Sequence, residues 1–209
     1  LIEFHRHIGG MSASGLGKSD VEKRHLVGGL FREFTDRVRR HYLERYGEAS
    51  HDFELCHDGY YFEPSVAEAV FSQMLKECPN VAVLTQHRLV QAEVSRNVLT
   101  KIEIADCSEH DAGNEWRKLP ACDDAGLQAG KIRHFWCSAG VFIDATYEGD
   151  LLAAAGADFR LGRETRDEFD EPHAGVVYFD YQNGEFLPGT TGERDVRLPA
   201  YTYRLCLTT

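Results

Sequence analysis

The chain has 209 residues, 43% of them hydrophobic, with 12 Phe and 9 Tyr, a composition that builds a packed globule and not a disordered segment. Its net charge of −11 argues against non-specific nucleic-acid binding, which needs clustered Lys and Arg at the phosphates, and no apolar run is long enough to span a bilayer. The six cysteines are scattered without a C-x-x-C pair, so no cluster-binding run stands out, and free or buried thiols in reducing surroundings are the simpler reading.

In chain order, Leu1-Ile2-Glu3 reads as the tail of a buried strand ending in an acid, and GGMSASGLG at 9–17 as a glycine-rich loop. In dinucleotide folds an acid after the second strand accepts hydrogen bonds from a ribose, and glycines let backbone approach a phosphate where a Cβ would interfere. From Val27 through Leu30, Phe31, Phe34, Val38 and Tyr42 the apolar residues recur at three- and four-residue steps, which predicts an amphipathic helix ending near Tyr46. The short basic run from Arg37 to Arg40 lies on its charged face. Residues 51–61 read as irregular. Pro64 opens a second helix that runs to Leu75 and is stopped by Pro79-Asn80. The short β-like runs 81–84, 88–94 and 98–105 predict a small antiparallel sheet. Residues 107–130 read as an acidic loop or hairpin tip, and 131–137 as the returning strand.

The sharpest signal is VFIDATYEGDL at 141–151. An apolar run from Gly140, read as a core strand, stops at Asp144 and small residues, then enters an alanine-rich helical pattern. A strand, tight turn and helix in that order is where open α/β sheets bind ligands, because loop amides and a helix start can face an anion. That makes a nucleotide cofactor the first suspect and Asp144, Ala145, Thr146, Gly149 and Asp150 its candidate contacts, with Thr146 as a hydroxyl donor. Beyond Gly156 regularity fades: 158–165 reads as a strand and turn, and 171–191 as ordered loops at a site. His5-x-His7 and the group His51, Cys56, His57 and Asp58 offer zinc-ligating chemistry, but no second pair stands at finger-like spacing. No metal site is assigned. His173 and Tyr201 or Tyr203 could serve as acid–base groups near a substrate, but equally as buried hydrogen-bonded rings, so no catalytic residue is named.

The order Leu-Ile-Glu, HIGGMSASGLG, helix, strand pair and FIDATYEGDLLAAAG followed by GRET resembles the FAD-dependent oxidoreductase family of glutathione-reductase-like flavoproteins. Some of its members carry the label xanthan lyase, and it is related to the flavoprotein subunit of heterodisulfide reductase. The resemblance implies an α/β, Rossmann-like three-layer FAD-binding domain over 1–165, with an inserted antiparallel β region at about 81–137, and the start of a substrate-side region over 166–209. It also implies truncation, with a strand, a GxGxxG turn and a helix preceding Leu1 and further chain following Thr209. The piece alone is then expected to be inactive.

The cofactor implied is FAD, held by Glu3 at the adenosine ribose, by Gly9, Gly10 and Met11 near the pyrophosphate or ribityl chain, and by Ser14 and Gly15 on the flavin side. Leu89 would meet the adenine through its backbone, and the Asp144–Asp150 turn would lie near the ribityl or pyrophosphate groups. Tyr147 and Glu148 depart from the commoner Ala-Thr-Gly turn of related flavoproteins. A 4Fe-4S cluster is implied only by analogy with the heterodisulfide reductase relatives and has no support in the cysteine spacing. The activity implied is flavin-mediated redox of a small, carbohydrate-related molecule, with no nucleic-acid or membrane partner; the electron acceptor and compartment stay open. Two rivals are a polysaccharide lyase, which needs a Tyr or His base with an Arg neutralising a uronate, and a non-catalytic interaction module that keeps the flavoprotein fold.

Overall fold

Residues 1–108 and 133–198 are described in the computed structural model. They form two compact units, Leu1–Ala145 and 146–198, so contacts divide within the 141–151 stretch. The first unit holds α1 (Gly10–Ala13), α2 (Gly29–Tyr46), α3 (His51–Leu55) and α4 (Pro64–Lys76), then an antiparallel sheet of β1 (His87–Ser95), β2 (Val98–Asp106) and β3 (Arg133–Ser138) in that spatial order. The chain thus mixes helix and sheet, in keeping with an α/β class.

The core follows from the four-residue steps along α2. Phe34, Val38 and Tyr42 are all buried against Phe62, Val66, Ala67 and Val70, each large apolar side chain contributing roughly 1.5–3 kcal/mol on leaving water. Phe34 stacks on Phe71 with ring centroids 4.6 Å apart and meets Phe62 edge-on at 5.4 Å. The Tyr42 hydroxyl accepts a hydrogen bond from the Glu63 amide at 2.9 Å, satisfying a donor just before α4, whose first residue Pro64 has none to satisfy. On the outer face Arg37 bridges Glu33 and Glu77, with its Nη1 2.8 Å from Glu77, which ties α2 to the end of α4.

Residues 51–61, read from sequence as irregular, contain α3 and a 3₁₀ turn at His57–Gly59. Five helical residues are too few to show a period, but Ser50 was a signal: its Oγ caps α3 by accepting from the Phe53 amide at 3.1 Å. At Gly59, with φ +84°, a Cβ would lie 1.9 Å from the Thr35 carbonyl oxygen, so only glycine lets the chain pass this close to α2. The loop expected at 9–17 holds the short helix α1. It does not run directly into α2, since a 3₁₀ turn at Arg24–Leu26 intervenes.

In the sheet, Leu89 faces Ile104 and Ile104 faces Phe135, while Gln91, Glu103 and Trp136 align on the other side. Ile102 and Ile104 are buried. The β1–β2 turn uses Arg96 and Asn97, both at positive φ, the backbone twist that two-residue hairpins require. Register shifts interrupt β1 after Leu89 and after Glu93. Residues 81–84 are not a strand of this sheet; Leu84 instead pairs in parallel with Ile2. The loop expected over 107–130 lies outside the described residues beyond Ser108, and so do Lys131 and Ile132 of the returning strand.

The reading of 140–144 as a core strand is corrected. Val141 and Ile143 are 76% and 83% exposed, and no ladder includes them among the described residues. A strand exists only when a neighbour takes its main-chain groups, which an apolar run cannot specify by itself.

The second unit contains α5 (Asp150–Ala154) and a hairpin of β4 (Phe179–Asp180) and β5 (Glu185–Phe186). Residues 158–165, read as a strand and turn, form only the isolated bridge of Arg163 with Asp195. The hairpin carries an aromatic cluster in which His173 meets Phe179 at 4.5 Å and Phe186 at 5.3 Å. Every fully buried apolar side chain among the described residues belongs to the first unit. None of the described helices is long and apolar enough to cross a membrane.

Candidate functional site

Main-chain hydrogen bonds hold Glu3 from both sides. Its amide donates to the Leu84 carbonyl at 2.8 Å, its carbonyl accepts from the His87 amide at 3.0 Å, and the flanking Leu84 and Gln86 amides donate to Leu1 and His5. This pairing lays the acid beside the start of β1 and so brings it near Leu89, two residues beyond His87. Glu3 is half-buried. Its Oε1 accepts from the His5 amide at 2.8 Å, leaving Oε2 without a partner among the described residues. Leu89 sits in the β1–β2 ladder opposite Ile104, and the first register shift follows it; such a bulge leaves a residue out of the ladder.

The glycine-rich stretch is a compact turn seated on α4. At Gly9, with φ +102°, a Cβ would stand 2.6 Å from Phe71 Cδ2, so the missing side chain serves the packing of α1 on α4. Ser14 donates through Oγ to the Gly10 carbonyl at 2.8 Å, and Gly10 and Gly15 both take positive φ. Met11 is 56% exposed. The His7 ring pairs with Glu68 of α4 at 2.8 Å.

Of the turn residues, half-buried Asp144 and exposed Ala145 end the first unit, whereas Thr146, Gly149 and Asp150 open the second. Thr146 has a role beyond the donor expected from sequence: its Oγ1 accepts from the Gly149 amide at 2.8 Å and the Asp150 amide at 3.3 Å. The two amides with which this turn would meet an anion are therefore already engaged.

Charge at the edge of the sheet is set by local partners. The Ser108 hydroxyl and amide, then Arg133, hold the Asp106 carboxyl at about 2, well below its ordinary range. Donation from Gln91 and His134 lowers Glu103 in the same way, while burial raises the Cys107 thiol. Among the described residues no group of three or more His, Cys, Asp or Glu could hold a metal ion. The zinc-type set near 51–58 is otherwise engaged, with His51 against Glu54, His57 against the Tyr61 ring and Asp58 against Arg24. The four described cysteines are free thiols; Cys122 and Cys206 lie outside the described residues, as do Tyr201 and Tyr203.

Sequence reasoning passed over Arg166. Its Nε and Nη2 are buried without a hydrogen-bond partner among the described residues, an arrangement that a GRET string could not reveal.

The chain is of the flavoprotein oxidoreductase class: the model of the FAD dependent oxidoreductase family matches residues 1–115 and 122–209. The protein belongs to that family, whose cofactor is FAD. No curated protein and no solved structure gives a match.

Proposed function

We propose that this chain forms the FAD-binding part of an oxidoreductase, arranged as a Rossmann-like layered domain with the β1–β3 sheet inserted. The observation that carries the reading is the fixing of Glu3. A carboxylate whose main chain is tied on both sides and whose Oε2 lacks a partner suits the paired hydroxyls of a ribose, which need acceptors in fixed positions. Leu89 on the adjoining strand would border the adenine through its main chain.

The other end of the cofactor fits less simply. Gly10, Met11, Ser14 and Gly15 offer main chain with little side-chain bulk, but Gly9 is accounted for by Phe71. The Gly149 and Asp150 amides are held by Thr146, so no phosphate contact is assigned to them. When bound, FAD supplies the electron or hydride chemistry. The chain's own residues bind and orient it, and no side chain is assigned an acid or base role. The substrate would be a small molecule; the electron acceptor is not assigned.

The test is flavin binding by the intact protein. Visible flavin absorbance after purification, and saturable uptake of FAD by the apo form, are expected. No uptake at about a hundred micromolar FAD, far above the range of resident cofactors, would sink the proposal.

A further inference from the structure

Arg163 and Arg166 stand three residues apart and differ in one respect. Arg163 presents Nε and Nη2 side-on to both carboxylate oxygens of Asp195, the first at 2.8 Å. Arg166 has the same pair of nitrogens buried, with no acceptor among the described residues. Arg160 and Arg194 pair with Glu168, and Arg197 lies by Asp195, so Arg166 is the exception among the described arginines of this unit. Acids outnumber bases over 146–198. A lack of carboxylates is therefore not the reason.

The guanidinium is held in place. It lies over the Phe186 ring at 4.9 Å, and a Cβ at Gly192 would stand 3.1 Å from its Cζ and Nε and 3.3 Å from Nη2. Phe186 also contacts His173, which lines a cavity of about 490 Å³ together with Arg163, Glu164 and Glu171. Nε and Nη2 share one edge of the planar guanidinium, and that edge meets no acceptor among the described residues. A planar carboxylate accepts from that edge with two parallel hydrogen bonds, and a charged donor pair withdrawn from water and left unmet is a costly state that such an acceptor relieves.

We propose that Arg166 is the anion-recognition residue of the substrate side, taking the carboxylate of a small-molecule substrate on its Nε–Nη2 edge, with the Phe186–His173 rings bordering the rest of that molecule. This rests on the reading above that the region from 166 onward serves the substrate.

The test uses the intact protein and benzoate, a planar carboxylate with an aromatic body, followed by calorimetry and melting at matched ionic strength. Benzoate is expected to bind saturably and raise the melting temperature, whereas benzamide, the neutral isostere, is not. Arg166→Lys keeps the charge but loses the fork, and should weaken benzoate binding about tenfold. If that variant fails to fold, the contrast of benzoate with benzamide in the natural protein decides by itself. Equal responses to the two compounds, an unchanged Kd in a folded Arg166→Lys protein, or tighter binding of inorganic phosphate than of benzoate would each overturn the proposal. Flavin absorbance, read in the same samples, separates the two readings: benzoate binding without flavin uptake removes the cofactor reading alone, and flavin uptake without a benzoate response removes only Arg166.

Discussion

Phe71 occupies the space that a side chain on Gly9 would need, its Cδ2 lying 2.6 Å from where the Cβ would stand. The structure thus adds a packing role to the ligand approach expected of Gly9. Gly9→Ala should therefore cost about 1–3 kcal/mol of stability through overpacking, with added strain at positive φ. Denaturant unfolding checks this, and an unchanged midpoint would return Gly9 to a purely ligand-facing role.

Glu3→Gln should weaken FAD binding by about 1–3 kcal/mol, since a charge-assisted hydrogen bond to ribose becomes a neutral one. The fold should survive, because Gln still offers a carbonyl oxygen to the His5 amide that Glu3 Oε1 accepts from. Calorimetric titration of the apo protein is the measurement, and equal affinities would leave Glu3 as a strand-end acid.

Thr146→Val removes the one oxygen that accepts from both Gly149 and Asp150. The start of α5 should fray, at about 1 kcal/mol, as when helix caps are lost. Amide exchange at Gly149 and Asp150 should quicken, while exchange in α2 stays as it was.

The pH dependence has a defined sign. Asp106 is held at about 2 by Ser108 and then by Arg133, below the value near 3.9 of an unfolded chain. Its contribution is present above that unfolded value and is lost as pH falls through about 2. Glu77 is lowered in the same direction by Arg37. The melting temperature should fall between pH 4 and 2, and Asp106→Asn should flatten the fall; parallel curves for the two proteins would remove Asp106 as a cause.

What the sequence made legible was local. The step of four through Phe34, Val38 and Tyr42 defined α2, Pro64 marked the start of α4, and the β-like runs 88–94 and 98–105 marked two strands of the sheet. What depended on distant partners was not legible. No local pattern tells that Leu84 pairs with Ile2 and not with the antiparallel sheet, or that Phe71 fills the space at Gly9. The run at 141–143 looked like a core strand because apolarity records a tendency to be buried, not the presence of a neighbour. In the candidate site the carboxylate of Glu3 could be guessed from its place after an apolar run. The engagement of the 149–150 amides by Thr146 could not, since it rests on a hydroxyl's orientation.

The absence of fully buried apolar side chains from the described part of the second unit has a dynamic consequence. Its order comes from turn hydrogen bonds, ion pairs such as Arg163–Asp195 and a small ring cluster, and segments held this way open more often than a packed helix pair. Proteases should cut there before they cut α2 or α4. Such a segment also gains most from whatever it grips: a ligand present at a hundred times its Kd adds about 2.7 kcal/mol to the closed form, enough to turn a frequently opening unit into one that rarely opens, so that tightening of this half would itself report that its ligand has arrived.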